Sequence, residues 1–425
     1  MTAPRIAYVG MTHLGLNSAV AAAEKGFATL CYDPDPALIA RLNSGDLPVI
    51  EPDLPELSEK NRDRLTYSSD AADLAGCDVV YVAPDVPTDD RGQSDLSGLD
   101  GLIDRAASAL RPDAVLVVLS QVPPGFTRAR MRDGLTLYYQ VETLVFGRAI
   151  ERALYPERYI VGCADPDIAL PDPLRVYLEA FDCPILPMRF ESAELTKIAI
   201  NCCLVSSISV ANTLSELCEG IGAVWSEIAP ALKLDRRIGQ YSYLTPGLGI
   251  AGGNLERDLA TVIRMADNVD SDSDVVRAWI SNSKHRRDWA ARTIRSVVLE
   301  AKPDARIAVW GLAYKENTHS VKNSPSLATI AQIPDADLVL HDPVVPAEAA
   351  DHARSRQAAD PLAALAGADA LMILTPWPAY REIAPADIAA AMAGRTVLDP
   401  YAVLPIDAAK RAGLDYHTLG RANTV

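Results

Sequence analysis

The first part of the chain alternates short apolar runs with segments of helical spacing. Residues 5–10 (RIAYVG) form an apolar run that ends in glycine, and the alanine-rich segment 16–25 that follows predicts a helix. A second apolar run at residues 28–32 ends at Asp33. This order of a strand, a glycine turn, a helix, a second strand and an acidic residue is typical of the βαβ unit that binds a dinucleotide.

The same alternation continues through apolar runs at residues 79–83 and 114–119, with a helical segment at 99–110 between them. These runs predict strands of a parallel sheet. Ligands of such sheets lie beyond the carboxyl ends of the strands, so Ser120 and Gln121 are candidate neighbours of a cofactor or substrate.

The glycine turn departs from the dinucleotide fingerprint G-x-G-x-x-G, because Gly10, Thr12 and Gly15 occupy its three glycine positions. Asp33 lies 23 residues after Gly10, close to the usual spacing of about twenty. Thr12 either crowds the pyrophosphate or offers it a hydroxyl hydrogen bond. The alternative is an ordinary α/β turn without a ligand.

Residues 191–222 predict one long helix, which carries Lys197 and Asn201 four residues apart and therefore on one face. From residue 306, the strand-like runs RIAVWG, LVLHDP, ALMILTPW and RTVLDP again alternate with helical segments. We therefore predict an α/β chain with two Rossmann-like doubly wound domains joined by a long central helix. The expected divisions are a dinucleotide-binding Rossmann domain at 1–188, a central helical connector at 189–300 and a second Rossmann-like domain at 301–425.

Composition narrows the classes of partner. The chain has 425 residues, 49% of them hydrophobic, and a formal net charge of -16 that disfavours nucleic acid and anionic membrane surfaces. Its seven scattered cysteines suit reduced thiols in the cytoplasm and lack the spacing of metal ligands. Polar residues interrupt the apolar segment 198–214, which favours a buried helix over a membrane span.

Several separated motifs give the chain a resemblance, over nearly its full length, to the UDP-glucose/GDP-mannose dehydrogenase family. The motifs occur in the family's order: the glycine turn 10–15, DPD at 33–35, GDLPVIEPDLPEL at 45–57, DRGQSDLS at 90–97, SQVPPGFT at 120–127, ELTKIAIN at 194–201, RIG at 237–239, the glycine-rich stretch 246–258, GLAYKENTHSVKNSP at 311–325, LTPW at 374–377 and YHTLGR at 416–421.

Members of this family oxidise the C6 alcohol of a nucleotide sugar to a carboxylate with two NAD, through intermediates bound to a cysteine. The resemblance implies that Lys197, Asn201 and Asp258 hydrogen-bond the reacting oxygen and assist its proton transfer. Glu142 resembles the first glutamate of the family motif N-P-E-F-L-R-E-G. Arg237 is similar to an arginine that reaches into the neighbouring subunit's site, which implies a homodimer.

The resemblance implies NAD binding for residues 1–188, dimerisation for 189–300 and nucleotide-sugar binding for 301–425. It also implies two sets of binding residues. The cofactor set is Gly10, Thr12, Leu14, Gly15, Asp33, Asp35, Ala83, Val86, Ser120 and Gln121. The substrate set is Arg237, Leu244, Gly249, Gly252, Gly253 and Lys315.

Three departures from the family pattern affect the chemistry. Asn254 replaces the nucleophilic cysteine. Its amide cannot form the thiohemiacetal that the cysteine forms with the aldehyde, because the amide nitrogen is a poor nucleophile. Gln121 replaces a threonine that holds the hydrolytic water, and Phe146 replaces the second glutamate. Further departures affect cofactor contacts at Thr12, Val86 and Tyr401, and nucleobase contacts at His319, Ser320, Lys322 and Asn323.

These departures favour an NAD-dependent two-electron oxidation of a nucleotide-activated sugar alcohol that stops at the carbonyl. A secondary alcohol suits this reaction, because a ketone cannot be oxidised further; GDP-linked octoses of lincosamide-type antibiotic biosynthesis carry such a carbinol at C6. One alternative is the four-electron reaction that gives a uronic acid. Another is a nucleotide-sugar-binding protein without catalytic activity.

Overall fold

The computed structural model describes residues 3–89 and 92–422. Asp90 and Arg91, which begin the predicted cofactor-side motif at 90–97, lie outside the described residues. The chain divides into two compact units, Met1–Ile200 and Asn201–Val425.

The first unit is built on a mainly parallel sheet. Its strands are β1 (Ile6–Val9), β2 (Thr29–Tyr32), β3 (Leu65–Ser68), β4 (Val79–Val82), β5 (Val115–Val118), β6 (Thr136–Gln140), β7 (Tyr159–Cys163) and β8 (Ile185–Arg189). Their order in the sheet is β3-β2-β1-β4-β5-β6-β7-β8, and β7 runs antiparallel to β6. The order reverses between β1 and β4, and such a reversal opens a ligand crevice at the carboxyl ends of the two strands.

The central strands β1, β4 and β5 are continuously apolar because both of their faces are covered. All four residues of each strand are buried. The rings of Tyr8 and Tyr81 stack at 5.0 Å in the core on one face, whereas Val9 and Val82 pack into the core on the other. Strands buried on both faces lose the alternation of apolar and polar residues.

Helices cover the faces of this first sheet. They are α1 (His13–Glu24), α2 (Pro36–Asn43), α3 (Leu54–Lys60), α4 (Ser97–Ala109), α5 (Ala149–Leu154) and α6 (Asp172–Glu179). The start of α2 shows the local signals: Asp35 accepts a hydrogen bond from the N–H of Ala37 (2.9 Å), and Pro36 occupies the first helical position.

The long helix α7 (Phe190–Ile221) begins in the first unit and continues into the second. This helix is long and apolar enough to cross a membrane, with a mean hydropathy of 1.5 in a window of which 39% is buried. Core helices of other proteins satisfy the same criteria. Polar side chains of α7 fasten neighbouring loops: Glu194 accepts from the N–H of Thr127 (2.8 Å), and Asn212 accepts from that of Gly247 (2.9 Å). Such buried polar contacts are those of a helix packed against protein.

The second unit contains helices followed by a second sheet. The first helices are α8 (Trp225–Leu234), α9 (Asn254–Asn268), α10 (Asp274–Arg287) and α11 (Trp289–Ile294). The strands are β9 (Arg306–Trp310), β10 (Asp337–His341), β11 (Ser355–Gln357), β12 (Ala370–Ile373), β13 (Thr396–Leu398) and β14 (Asp415–His417). The remaining helices are α12 (Pro325–Ala331), α13 (Pro361–Ala364), α14 (Pro378–Arg381), α15 (Pro385–Ala391) and α16 (Ile406–Arg411). All strand pairs are parallel, in the order β11-β10-β9-β12-β13-β14.

The predicted fold class, two Rossmann-like sheets and a long central helix, is confirmed. The division into domains at 1–188, 189–300 and 301–425 stays a prediction. The sequence pattern did not indicate the short edge strands β11 and β14, which have three residues each.

Candidate active site

The turn between β1 and α1 requires glycine at two positions. Gly10 has a φ of +94°, and a Cβ there would lie 3.0 Å from the backbone nitrogen of Pro84. A Cβ on Gly15 would lie 1.9 Å from the carbonyl oxygen of Gly10. The turn therefore has the tight strand-to-helix packing for which the dinucleotide fingerprint selects glycine.

The carboxylate of Asp33 is fixed at the end of β2, beside this turn. Its Oδ2 accepts from the N–H of Met11 (2.8 Å), and its Oδ1 accepts from that of Asp35 (3.0 Å). Each carboxylate oxygen has a second lone pair, so Asp33 can still accept hydrogen bonds from ribose hydroxyls.

Thr12 and Asp85 connect the turn before α1 to the loop after β4. The N–H of Asp85 donates to Oγ1 of Thr12 (2.8 Å), and the N–H of His13 donates to Oδ2 of Asp85 (3.0 Å). Asp85 keeps exposed surface, yet the surrounding protein atoms raise the pKa of its carboxyl, and the His13 ring opposes this rise. A carboxylate therefore lies at the N-terminus of α1, where the helix dipole favours an anion.

The His13 side chain joins the same end of α1 to a loop that follows β6. Its Nε2 lies 2.7 Å from Oε1 of Glu51, and its ring stacks on that of Phe146 with centroids 4.1 Å apart. Glu51 also accepts from the N–H of Gly147 (2.8 Å). Phe146, which replaces the second glutamate of the family motif, thus packs against the turn between β1 and α1.

The predicted cofactor residues lie at or beside the carboxyl ends of β1, β2, β4 and β5. They are Gly10, Thr12, Leu14, Gly15, Asp33, Asp35, Ala83, Val86, Ser120 and Gln121. Ser120 donates from Oγ to the carbonyl of Pro84 (2.5 Å), whereas Leu14 is buried in the core. The glycine turn after β1 suits the diphosphate of a dinucleotide, and Asp33 at the end of β2 suits its adenosine ribose. These residues can therefore hold NAD.

Lys197 and Glu142 form an ion pair within the first unit. The Lys197 Nζ lies 3.0 Å from Oε2 of Glu142 and also donates to the backbone carbonyl of Glu142 (3.0 Å). The two side chains are 14% and 16% exposed. The pair gives a positioned ammonium that can donate to a substrate oxygen.

Asn201 and Asp258 form a buried pair within the second unit. Nδ2 of Asn201 donates to Oδ2 of Asp258 (2.5 Å), and Nε of Arg257 lies 3.6 Å from Oδ1 of the same carboxylate. Cys202 lies beside this pair, and burial together with the charge of Asp258 raises the pKa of its thiol to about 11.

The glycine-rich stretch that precedes α9 needs its glycines. A Cβ on Gly249 (φ +73°) would lie 2.4 Å from the carbonyl oxygen of Ser283, and one on Gly252 (φ +79°) would lie 3.2 Å from the Tyr314 ring. After Gly253, the N-cap residue, Asn254 begins α9.

Three other predicted substrate residues lie elsewhere in the second unit. Arg237 projects from the surface with 89% of its side chain exposed and pairs with Asp235 (2.6 Å). Leu244 is buried, and its carbonyl accepts from Trp225 Nε1 (2.7 Å). Nζ of Lys315 lies 5.6 Å from the centroid of the Tyr314 ring.

Comparison with known proteins decides the family. Residues 4–177, 191–284 and 308–405 match the NAD binding, central and UDP binding domains of the UDP-glucose/GDP-mannose dehydrogenase family. The UDP-glucose 6-dehydrogenase AglM of Haloferax volcanii is 30% identical over 442 residues, which cover 97% of this chain and 99% of AglM. The chain belongs to the UDP-glucose/GDP-mannose dehydrogenase family.

Other relatives and solved structures agree with this assignment. The UDP-glucose 6-dehydrogenase TuaD of Bacillus subtilis is 28% identical over 433 residues, with 98% of this chain and 93% of TuaD covered. The UDP-glucose dehydrogenase structure from Pyrobaculum islandicum has a TM-score of 0.86 at 26% identity and covers 99% of this chain and 98% of that one. This member of the UDP-glucose/GDP-mannose dehydrogenase family is accordingly an NAD-dependent oxidoreductase of nucleotide-linked sugars.

The sequence analysis did not identify three polar residues of the cofactor crevice, Asp85, His13 and Glu51. Asp85 lies in the loop that follows β4, so its place in a predicted cofactor loop could have indicated it, whereas Glu51 contacts His13 only through the tertiary fold. Across residues 3–89 and 92–422, no group of three or more His, Cys, Asp or Glu side chains could hold a metal ion.

Proposed function

We propose that this family member oxidises a nucleotide-activated sugar alcohol by two electrons and releases the carbonyl product. The observation that carries the proposal is the position of Asn254 at the start of α9, one helical turn before the buried Asp258. Asn254 stands where the family has its cysteine, and its amide cannot add to an aldehyde to form the covalent intermediate of a second oxidation.

A neighbouring cysteine does not supply the missing nucleophile. Cys202 lies beside Asp258, but its thiol has a pKa of about 11, raised by burial and by the Asp258 charge. The thiolate is the nucleophilic form of cysteine, and at neutral pH such a thiol stays protonated. This supports a reaction without a covalent sugar intermediate.

The retained polar residues support the first oxidation. Bound NAD would supply the two-electron oxidant: it would accept the hydride of the carbinol C–H bond and become NADH, while the O–H proton leaves and the C=O bond forms. The Lys197 ammonium, held by Glu142, can stabilise the developing negative charge on the substrate oxygen. Asp258, oriented by Asn201, can accept the proton directly or through water.

We propose a secondary alcohol as the reacting group. A ketone product has no hydrogen left on the reacting carbon, so the oxidation ends there without a cysteine. A GDP-octose with a C6 carbinol, of the kind used in lincosamide-type antibiotic biosynthesis, meets this requirement. Among relatives whose names give a substrate, TuaD and AglM are UDP-glucose 6-dehydrogenases, so UDP-glucose is the reference substrate.

The test is an anaerobic incubation with UDP- and GDP-linked hexoses and octoses that counts NADH formed per sugar consumed. We expect one NADH and a carbonyl product, trapped by a hydroxylamine. Two NADH and a carboxylate would instead establish the four-electron reaction. Binding of nucleotide sugar without NADH formation from any substrate would indicate a protein without catalytic activity.

We further propose a cytoplasmic homodimer. The free cysteines, which include the buried Cys31, Cys77, Cys163 and Cys218, suit a reducing compartment. Four apolar side chains of α7 are exposed with spacings of four, three and four residues, namely Val210, Leu214, Leu217 and Ile221. This spacing forms one stripe along the helix, and a second copy of the chain can cover it.

A further inference from the structure

One departure from the dinucleotide fingerprint, Thr12, contacts an aspartate of the loop after β4. Thr12 replaces the middle glycine of the turn, and Asp85 follows β4, 73 residues further along the chain. The Asp85 N–H donates to the Thr12 hydroxyl oxygen, and the Asp85 carboxylate accepts from the N–H of His13. The register between β1 and β4, which pairs Val9 with Val82, brings the two loops together.

This contact lies at the topological switch point of the first sheet. In this fold the diphosphate of a dinucleotide lies over the N-terminus of the first helix, where backbone N–H groups and the helix dipole attract anions. Here the N–H of His13, the first residue of α1, already donates to a carboxylate. A second anion brought to the same N–H groups would lie within a few ångströms of the first and repel it.

We propose that the Asp85 carboxylate and the diphosphate of NAD are alternative occupants of the N-terminus of α1, so that Asp85 lowers and tunes the affinity for the dinucleotide. Binding then requires the loop after β4 to release Oδ2 of Asp85 from His13, or the carboxyl to be protonated. Thr12 strengthens the closed arrangement by accepting from the backbone of Asp85. This inference concerns cofactor affinity alone and does not rest on the proposed extent of oxidation.

The charges around Asp85 determine how protonation acts. The His13 ring favours the ionised carboxylate, and Glu142 disfavours it. Glu142 is itself paired with Lys197, and His13 contacts Glu51. The loss of hydration that raises the pKa of Asp85 outweighs the opposing effect of His13. Lowering the pH therefore neutralises this carboxyl before that of an ordinary surface aspartate. We therefore expect the affinity for dinucleotide to increase as the pH falls.

Equilibrium titration with NADH, followed by fluorescence, tests the inference without turnover. We expect Asp85→Asn to lower the Kd for NADH by about tenfold or more at pH 8, because it removes one negative charge near the diphosphate. The ratio of the wild-type Kd to the variant Kd should shrink towards one as the pH falls.

A pair of probes separates the diphosphate from the rest of the cofactor. ADP-ribose carries the diphosphate, and adenosine lacks it, so Asp85→Asn should strengthen binding of ADP-ribose and leave binding of adenosine unchanged. Asp104→Asn is the matched control, because it makes the same charge change on α4, at a carboxylate that is 72% exposed and paired with Arg132. Thr12→Ser should retain the wild-type Kd, and Thr12→Val should lower it.

An unchanged or higher Kd for NADH in Asp85→Asn, in a variant that melts like the wild type, would overturn the inference. Such a result would leave the two-electron reaction untouched, since that reaction is judged by the NADH formed per sugar. An equal gain in Asp104→Asn would also overturn it, because the effect would then be one of net charge and not of contact with α1.

Discussion

Nδ2 of Asn201 donates a hydrogen bond to Oδ2 of Asp258 over 2.5 Å, and the two residues are 8% and 2% exposed. The amide compensates a carboxylate that is otherwise largely removed from water, and it fixes the direction in which that carboxylate points. The pair therefore contributes to both the stability of the second unit and the chemistry that we propose for Asp258.

Asn201→Ala should reduce both properties. We expect a loss of about 1–3 kcal/mol in the free energy of unfolding, since a buried acceptor loses its partner. We also expect kcat to fall by about 10²-fold, within the range for removing support from an acid-base group. Urea unfolding and initial rates of NADH formation measure the two effects. Ser207→Ala, which removes a hydroxyl bonded to the Cys203 carbonyl on the exposed side of α7, should change neither. A wild-type kcat in Asn201→Ala would refute the assigned role.

Lys197→Met tests the ammonium that Glu142 holds in the first unit. We expect kcat to fall by about 10²–10³-fold, because the charge that develops on the substrate oxygen loses its donor. Lys197→Arg should recover part of kcat, since it keeps the positive charge. The control is Lys233→Met on the exposed face of α8. A kcat within about twofold of wild type in Lys197→Met would exclude a catalytic role for this lysine.

The sequence predicted the elements whose signals are local. The central strands are buried on both faces and therefore read as apolar runs, and α7 shows helical spacing over its length. The contact of Thr12 with Asp85 could not be predicted, because it depends on the register of two strands far apart in the chain. The pairs formed by Lys197 with Glu142 and by Asn201 with Asp258 were expected to be functional only through the family resemblance, since spacing alone does not bring their side chains together.

Asp399, at the end of β13, should make stability depend on pH. It is fully buried; its Oδ2 accepts from the N–H of Leu404 (2.9 Å) and the hydroxyl of Tyr416 (2.7 Å), while Oδ1 has no hydrogen-bond partner among the described residues. Burial raises the pKa of this carboxyl in the folded state. The folded protein therefore binds the proton more tightly than the unfolded chain, whose aspartate has a pKa of about 3.9.

The contribution of Asp399 is complete below about pH 4 and is lost as the pH rises through the raised folded pKa. We expect Asp399→Asn to lose less unfolding free energy than wild type between pH 4 and pH 7, as measured by urea unfolding at each pH. Asp335→Asn changes an exposed aspartate in the same unit and should keep the wild-type dependence. Identical pH dependences of wild type and Asp399→Asn would show that this carboxyl is not the group responsible.

The exposed stripe on α7 predicts the oligomeric state. Val210, Leu214, Leu217 and Ile221 are 50%, 40%, 54% and 73% exposed, although each is apolar and all share one side of the helix. Burying such side chains against a second copy stabilises a dimer by about 25 cal/mol per Å² of apolar surface.

The double variant Leu214→Glu/Leu217→Glu would bring charges into that contact at a cost of several kcal/mol, as is usual for unpaired buried charges. Size-exclusion chromatography with light scattering should give twice the monomer mass for the wild type and the monomer mass for this variant. Ile168→Glu, at a residue that is 63% exposed in the first unit, should remain a dimer. A monomeric wild type, or a double variant that stays dimeric, would mean that α7 does not form the contact between copies.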